Sequence, residues 1–350
     1  MDDERCVHRR ASTSRGCVMN RTIRWALSTV VTVAILWTVA WFGARWWLGD
    51  TLHKSVADLQ ARNGITVECT DERIGGWPFR LVLTCPGGLG VTLPDGGKLQ
   101  TAGAHGEGQI FNLHRLDFRF DAPTSYTAPD GRRLDLAASD LTASIGFAKG
   151  QANRLSLKTV DLSATGPLAG GTEGKLTMGR GDLLLARTTE HPDDADLAAT
   201  VDGLNLAVGD TALTPLPVRL TLAATLAQAD MATAGPAALA GWRAAGGRLT
   251  LHRLAAELGG ATLTLNGEGT VTETGLIEAE GQVTGRDLNA LAASAAAGGV
   301  SLTPELAGLV MAFVLMGTAA DDGGRSIGLR VENGVVSANG REIGRLAPLF

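Results

Sequence analysis

The sequence lacks every compact catalytic motif that residue spacing alone can reveal. Its six histidines are scattered, without HExxH or any other metal-ligand spacing. It contains no Gly-x-Ser-x-Gly nucleophile elbow. The glycine-rich run 86–97 does not form a phosphate loop, because Lys98 is followed by Leu99 instead of Ser or Thr. We interpret His105, two residues before Glu107, as a solvated turn residue. We therefore expect no enzymatic activity, no cofactor and no bound metal.

Aromatic residues are also scarce, and most of the tryptophans are concentrated near the N-terminus. Five of the seven tryptophans lie within residues 25–47. No charged residue occurs from Trp25 to Ala44, a length that lets an α-helix cross the hydrocarbon core of a bilayer. Trp25 at one end, and Trp46 and Trp47 at the other, suit the two membrane interfaces. We therefore predict a transmembrane helix over residues 25–47.

Positive charge is concentrated on one side of this segment. Six arginines precede it: Arg5, Arg9, Arg10, Arg15, Arg21 and Arg24. The positive-inside rule places residues 1–24 in the cytoplasm as a basic tail and residues 48–350 across the membrane. A cleaved signal peptide is the alternative, but it would have a shorter apolar core and a small-x-small cleavage site. The length of the run and the aromatic residues at its far end favour an uncleaved anchor.

The exported part, residues 48–350, has an acidic balance of charge. Nucleic-acid binding needs a basic face, so we expect no nucleic-acid partner. The same balance argues against electrostatic adhesion to anionic lipid headgroups. By length the exported part is one large β domain or two smaller ones, with an alternative boundary near 230–246.

Cysteine is rare, and the four cysteines divide evenly between the two sides of the anchor. Cys6 and Cys17 lie on the reducing side, where we expect free thiols. Cys69 and Cys85 lie on the oxidising side, where we predict a disulfide that stabilises the fold by about 3 kcal/mol. Two unpaired core cysteines are the alternative. A zinc site is not expected, because no histidine pair lies nearby.

The chain after the membrane segment is predicted to continue as a helix and then to form a hairpin. The helix covers Leu48–Arg62 and stops at Asn63-Gly64. Residues 65–69 and 80–85 have the composition of strands, with Gly75-Gly76 marking the turn between them. Such a hairpin would bring the two exported cysteines close to each other.

Short alternating strands dominate the remaining sequence. Strand patterns occur at 110–120, 134–147, 155–157, 176–178, 183–185, 204–206, 218–222, 247–251, 261–267, 276–281, 326–331 and 335–338. Turn residues separate them, among them Gly166-Pro167, Asp202-Gly203 and Asn333-Gly334. Short helices are predicted at 236–245, at 287–297 and from Thr303 onward. We predict a mainly β fold, in which an N-terminal transmembrane helix precedes a long, curved antiparallel β-sheet domain with one apolar face and a few short helices.

Two sequence features at the ends of the exported part, together with the single anchor, resemble a known family. The first is the run Gly76, Trp77, Pro78, Phe79, Arg80, flanked by the two cysteines; the second is the C-terminal stretch from Asn333-Gly334 to 343–349. The resemblance is to the bacterial domain-of-unknown-function family 2125, which usually shows Gly-Phe/Tyr-Pro-Phe-Arg. Membership implies an inner-membrane anchor, a periplasmic β-rich domain and no known reaction.

We interpret the Gly-Trp-Pro-Phe-Arg run as structural. Trp77 and Phe79 would close one end of the sheet, Pro78 would stiffen the turn, and Arg80 would pair with a nearby acid.

A weaker resemblance covers residues 246–291. Their glycine-bounded strands are similar to the end of AsmA/TamB-like envelope proteins, and this implies an apolar concave sheet that carries lipid. We therefore expect a protein that handles lipid acyl chains or maintains the outer envelope. The alternative is a scaffold that holds an envelope protein, and a periplasmic enzyme ranks third. An open apolar groove would favour lipid handling, whereas a filled sandwich interior would argue against it.

Overall fold

The computed structural model describes residues 21–109, 111–148, 151–167, 172–209, 211–212, 217–229, 241–288, 290, 315–320 and 324–348. Contacts divide the chain into two compact units, Met1–Leu48 and Gly49–Phe350.

A single long helix, α1, covers Arg21–Asn63. Its stretch from Trp25 to Asp58 contains an apolar run long enough to cross a membrane, and a signal sequence would meet the same criteria. As predicted, the helix continues well past the apolar run and ends before Gly64. Gly64 has a φ of +66°, and its N–H donates to the carbonyl oxygen of Gln60 at 2.9 Å. A glycine in this conformation is a common way to end a helix.

The second unit is mainly β. Its strands are β1 Thr66–Cys69, β2 Arg73–Gly75, β3 Arg80–Cys85, β4 Leu89–Thr92, β5 Lys98–Gln109, β6 Asn112–Thr127, β7 Arg133–Ala137, β8 Asp140–Ala148, β9 Gln151–Pro167, β10 Glu173–Arg187, β11 Ala195–Val208, β12 Thr211–Ala212, β13 Val218–Ala227, β14 Arg248–Leu258, β15 Ala261–Val271, β16 Ile277–Arg286, β17 Thr318–Ala319, β18 Arg325–Glu332, β19 Val335–Ala338 and β20 Arg341–Arg345. All of their pairings are antiparallel and belong to one sheet. This confirms the predicted mainly β fold with a large antiparallel sheet.

The strands follow one another across the sheet as a meander. The order of neighbours is β3, β5, β6, β8, β9, β10, β11, β13, β14, β15, β16, β18, β19 and β20. The short strand β7 lies end to end with β8 between β6 and β9, and pairs with the other halves of those two strands. Because β13 pairs with β14, the sheet is continuous on both sides of residues 230–246.

The first predicted hairpin has a different pairing in the structure. We expected 65–69 to pair with 80–85, but β1 pairs with β4, and β3 pairs with β2 and β5. The reason is the length of β5, whose twelve residues accommodate β3 and β4 end to end along one edge. The N–H of Thr70 donates to the carbonyl oxygen of Gly88 at 3.0 Å, which holds β1 beside β4.

Two predicted turns are in fact parts of strands. Gly166-Pro167 forms the end of β9, where Gly166 pairs with Gly174. Asp202-Gly203 lies inside β11 at a register shift, and Gly203 there has a φ of +69°. Asn333-Gly334 is confirmed as a hairpin turn, with φ values of 49° and 75°. In the described parts of the predicted helices, residues 241–244, 288, 290, 315 and 316 are helical. Residues 236–240, 289, 291–297 and 303–314 lie outside the described residues.

Candidate functional site

The register of the sheet aligns apolar residues into two adjacent rows. In each row every residue is the direct cross-strand partner of the next, so all side chains of a row lie on the same face. Row A is Ile74, Leu83, Gly106, Phe118, Ala143, Leu157, Leu183, Ala199, Leu222, Leu254, Leu265, Val283 and Ile327. Row B is Leu81, Gly108, Leu116, Ile145, Leu155, Leu185, Leu197, Ala224, Leu251, Gly267, Gly281, Leu329 and Ala338. The rows make one face of the sheet apolar from β2 to β19.

The opposite face of the same strands is polar. A row on that face consists of Thr84, His105, Arg119, Thr142, Lys158, Asp182, Thr200, Thr221, Ala255, Thr264, Thr284 and Ser326. Its charged members form surface ion pairs, such as Arg119 with Asp140 at 2.6 Å. Nε2 of His105 lies within hydrogen-bonding distance of Oδ2 of Asp121, at 3.0 Å. Exposed pairs of this kind contribute little to stability. The alternation of polar and apolar residues therefore produces the two-faced sheet that the sequence predicts.

The apolar face is only partly covered. Leu81, Ala224, Ile327 and Ala338 are buried. The other large side chains of the two rows are half-buried, and Leu155 and Leu157 of β9 are 38% and 36% exposed. A sheet whose apolar face packs fully into a core would bury most of these residues.

An apolar cavity of about 390 Å³ lies over strands β13 to β18. Its side-chain lining is mostly aliphatic: Leu226, Leu249, Leu251, Leu265, Val271, Ile277, Ala279, Leu329 and Val331. The cavity lies where row B contains the directly paired glycines Gly267 and Gly281. A Cβ on Gly267 would overlap the carbonyl oxygen of Glu280, and one on Gly281 would overlap that of Asn266. Glycine is therefore required at both positions, where the two backbones approach closely beside the cavity.

Trp242 contributes an aromatic wall to this cavity. Its indole N–H donates to the carbonyl oxygen of Ala227 at 2.6 Å, so the polar atom of the ring is satisfied. A Cβ on Gly247 would overlap the indole ring, which shows how closely the backbone packs on it. The ring is thus held in place and presents carbon atoms to the cavity.

The Gly-Trp-Pro-Phe-Arg run forms the turn of the hairpin between β2 and β3. Gly76 has a φ of +100°, and its carbonyl oxygen accepts the N–H of Arg80 at 3.0 Å. The Trp77–Pro78 peptide bond is cis. The side chains of Trp77 and Phe79 are 59% and 56% exposed, so these rings point outward and do not fill an end of the sheet.

A third aromatic residue, which the sequence pattern assigned to a strand, lies beside this turn. Phe111 lies in the turn between β5 and β6, is 72% exposed, and has its ring centroid 6.0 Å from that of Phe79. Arg80 forms the predicted ion pair: its Nη1 lies 2.8 Å from Oε1 of Glu107. The neighbouring turns thus bring Trp77, Phe79 and Phe111 together.

The two exported cysteines lie at disulfide-bonding distance. The sulfur atoms of Cys69 and Cys85 are 2.02 Å apart, and their Cα atoms are 5.3 Å apart. The bridge joins the end of β1 to the end of β3, strands that do not pair with each other. It therefore closes a loop that contains the whole β2–β3 hairpin, which differs from the cross-hairpin link that we expected.

Ionisable groups with shifted pKa values lie away from the apolar face. Hydrogen bonds from the backbone and side chain of Arg132 lower the pKa of Asp130, and the hydrogen bond to Asp202 raises that of Arg219. Both groups are on the surface. In the described ranges no group of three or more His, Cys, Asp or Glu residues has the geometry of a metal site.

Comparisons with known proteins give one match. A family model described as "Uncharacterized protein conserved in bacteria (DUF2125)" matches residues 41–347. No curated protein and no solved structure matches the chain. The resemblance of residues 246–291 to AsmA/TamB-like proteins thus gains no support from these comparisons.

Proposed function

Because this chain belongs to the DUF2125 family, for which no reaction is known, we propose its function from the apolar face: a non-enzymatic, membrane-anchored protein that binds lipid acyl chains. The observation that carries the proposal is the aliphatic cavity of about 390 Å³ beneath Trp242. Its volume falls in the range of about 300–1,000 Å³ that is typical of small-molecule sites.

The chemistry of the cavity suits an acyl chain better than a polar ligand. Burial of each CH2 group is worth about 0.8 kcal/mol, so eight groups would supply roughly 6 kcal/mol before the cost of ordering the chain. Larger concavities of about 570 and 960 Å³ lie elsewhere on the sheet. Their linings include Arg115, Lys158 and His105, and such groups disfavour a hydrocarbon chain.

Rows A and B extend the binding surface far beyond the cavity. Both rows pass through strands that line it, at Leu265 in row A and at Leu251 and Leu329 in row B. They continue without a charged residue to β3. The half-exposed Leu155 and Leu157 lie midway along the rows. An acyl chain lying across this face would cover carbon surface that is otherwise partly in contact with water.

We also propose the location that the sequence predicts, which is the bacterial inner membrane with the sheet on the periplasmic side. Helix α1 would anchor the protein in the bacterial inner membrane, with the arginine-rich residues 1–24 in the cytoplasm and the sheet in the periplasm. An oxidising periplasm would maintain the bond between Cys69 and Cys85. The membrane would then be a source of lipid for the sheet.

The test uses the full chain in lipid nanodiscs that contain a phospholipid with a photoactivatable diazirine in its acyl chain. Mass spectrometry of proteolysed protein would locate the labelled residues. We expect labelling of the cavity in the wild type and a decrease of about tenfold in Ala279→Trp, equivalent to about 1.4 kcal/mol of affinity. Ala279 lines the cavity, so a tryptophan there would occupy its space.

The matched control is Glu278→Trp, which places the same side chain on the next residue of β16. Glu278 is exposed and, as its neighbour, points to the other face of the sheet. Labelling of the cavity should remain at the wild-type level in this control. Equal labelling in Ala279→Trp and in the wild type, or labels confined to the polar face, would refute acyl-chain binding in the cavity.

A scaffold for an envelope protein is the second candidate, and it is favoured by the exposed strand β20. Within the described part of the sheet, β20 pairs with β19 alone. Its side chains are exposed, and Ile343 is 56% exposed. A free edge can accept a strand from another protein. However, Arg341 and Arg345 place charges on it, as is typical of edges protected against pairing.

A photocrosslinking residue at position 343 of the full chain in cells would test this second candidate. A reproducible protein adduct at position 343, and not at position 340 in the preceding turn, would support the scaffold. Absence of any protein adduct at position 343 would argue against it.

A further inference from the structure

Three exposed aromatic rings gather at one end of the hairpin and its neighbouring turn. We call residues 76–79 together with Phe111 the aromatic tip. Trp77, Phe79 and Phe111 are each more than half exposed. The chain has few aromatic residues, so the placement of three of them on adjacent turns is a specific feature of this surface. Large exposed apolar groups in one patch commonly mark a contact surface.

The aromatic tip carries no charge. None of its residues is ionisable, and Asn112, which follows Phe111, is also uncharged. The nearest charge in the hairpin belongs to Arg80, whose Nη1 lies 2.8 Å from Oε1 of Glu107 in β5, so the two charges neutralise each other. Trp and Phe side chains without adjacent net charge favour the boundary between lipid headgroups and acyl chains.

The hairpin is in contact with the chain immediately after the predicted membrane segment. A Cβ built on Gly49 would lie 3.5 Å from Cδ1 of Ile74, so Ile74 lies against the helix backbone at this point. Gly49 follows the predicted segment 25–47 by two residues. Trp77 is three residues from Ile74, and three residues of chain span at most about 10 Å. With the apolar part of α1 in a bilayer, as proposed above, the aromatic tip would be within reach of the bilayer surface.

The hairpin that carries the tip is firmly held. The Cys69–Cys85 bridge encloses it, and β3 pairs along its length with β5. Row A begins at Ile74 and row B at Leu81, so both rows start in this hairpin. A contact between the aromatic tip and lipid would place the beginning of the apolar face next to the bilayer.

We propose that the aromatic tip inserts Trp77, Phe79 and Phe111 into the lipid interface of the membrane in which α1 is anchored. It forms a second membrane contact and the point at which acyl chains reach the apolar face. The inference rests on the anchoring and lipid binding proposed above. Side chains of interfacial segments enter the headgroup–acyl boundary by about 5–10 Å.

The experiment places p-benzoylphenylalanine at position 79 or 111 of the full chain in phospholipid nanodiscs. This substitution keeps an aromatic ring at each site. After irradiation we expect phospholipid adducts at both positions, detected by intact-mass and peptide mass spectrometry. The control position is Asp130, in the turn at the other end of β6. Since β6 has 16 residues, that turn lies about 50 Å from Phe111 at roughly 3.3 Å per residue.

Two further measurements distinguish failure of this inference from failure of the proposed function. Crosslinking from Leu36 in the apolar part of α1 reports whether that helix is in lipid, and diazirine labelling of the cavity reports acyl-chain binding. Adducts at Leu36 and in the cavity without adducts at 79 and 111 would overturn insertion of the tip alone. Adducts at 79 and 111 that exceed those at 130, with an unlabelled cavity, would support insertion and refute acyl-chain binding in the cavity.

A variant series tests the entry role. Trp77→Ser with Phe111→Ser should lose lipid adducts from position 79 and lower the labelling of the cavity, while Trp77→Phe should retain both. Formation of the Cys69–Cys85 bond, measured by mass spectrometry, confirms that the hairpin has folded in each variant. Unchanged adducts and unchanged cavity labelling in the double serine variant would overturn the proposal.

Discussion

Gly76 shows how one residue fixes the geometry of the aromatic tip. Its φ of +100° is a conformation that favours glycine, and a Cβ would lie 2.7 Å from the carbonyl oxygen of Arg80. We expect Gly76→Ala to lower the free energy of unfolding by about 1–3 kcal/mol. Chemical denaturation of the full chain in detergent would measure this. Gly75→Ala is the control, because a Cβ there has open space; equal losses in both variants would contradict the prediction.

Asp130 gives a prediction that depends on pH. The backbone N–H of Arg132 donates to its Oδ1 at 3.0 Å, and Nε of Arg132 donates to its Oδ2 at 2.6 Å. These bonds favour the charged carboxylate and lower its pKa from 3.8. The contribution of this carboxylate to stability is therefore complete above pH 3.8 and is lost as the pH falls through the lower pKa of the folded state.

An NMR titration of the Asp130 carboxyl group measures this shift directly. We expect a pKa below 3.8 in the wild type. Arg132→Ala should return it only part of the way, because the backbone N–H of residue 132 remains. A pKa at or above 3.8 in the wild type would contradict the hydrogen bonds described here.

The contact partners of some single residues could be predicted from the sequence alone, and those of others could not. The pairing of Arg80 with an acid and the bond between Cys69 and Cys85 could be predicted, because charge and compartment restrict their partners. Phe111 could not be assigned to the aromatic tip, since its alternation with later residues fits a strand equally well. Its proximity to Phe79 depends on where the turn after β5 falls, and that is decided by the pairing of β5 with β6.

Among the elements, the β2–β3 hairpin depends on its covalent closure. The Cys69–Cys85 bridge spans a sequence separation of 16 residues and encloses the aromatic tip. Replacing both cysteines with serine should lower the free energy of unfolding by about 3 kcal/mol, because a loop of this size is no longer closed in the unfolded chain. Denaturant titration of the full chain under oxidising conditions would measure the loss.

The matched control for the bridge is the pair Cys6 and Cys17, the other two cysteines of the chain. Their replacement by serine should leave the denaturation midpoint unchanged. Addition of a reductant should destabilise the wild type and this control, but not Cys69→Ser with Cys85→Ser. An equal response of all three proteins to the reductant would show that the bridge does not stabilise the hairpin.

The strands themselves follow from local sequence, whereas their partners do not. Alternation predicted most strand positions, since period-two patterning is a local property. The pairing of β1 with β4 depends on β5 accommodating two strands end to end, which involves residues far apart in the chain. Asp202-Gly203 has the composition of a turn but forms a bulge, because β11 continues to pair with β10 on both sides of it.

At the scale of the whole molecule, the apolar helix and the apolar face of the sheet, which the sequence predicts separately, support the same proposed function. The apolar part of α1 is long enough to cross a membrane, and the sheet has an apolar face whose rows start in the hairpin next to Gly49. The rows could not be derived from the sequence, because each alignment depends on register shifts such as those in β13, β14 and β15. Because the rows align the apolar side chains of successive strands, these side chains form one continuous apolar surface.

This continuity predicts that charge placed midway along the rows will interrupt the passage of lipid to the cavity. Leu155 and Leu157 lie on β9, between the hairpin and the cavity, and both are more than a third exposed. Leu155→Asp with Leu157→Asp should therefore fold, while a carboxylate on the apolar face strongly disfavours contact with an acyl chain. In nanodiscs with the diazirine phospholipid, we expect labelling of the cavity to fall while labelling of the aromatic tip remains.

Ser156→Asp is the control, since Ser156 lies between these leucines and points to the polar face. It adds a carboxylate to the same strand and should leave labelling of the cavity unchanged. If the double aspartate variant retains wild-type labelling of the cavity, lipid reaches the cavity from solution or from its far side, and the rows are not its route. A loss at the cavity with labelling preserved at positions 77 and 79 would instead establish that acyl chains move along the apolar face from the hairpin.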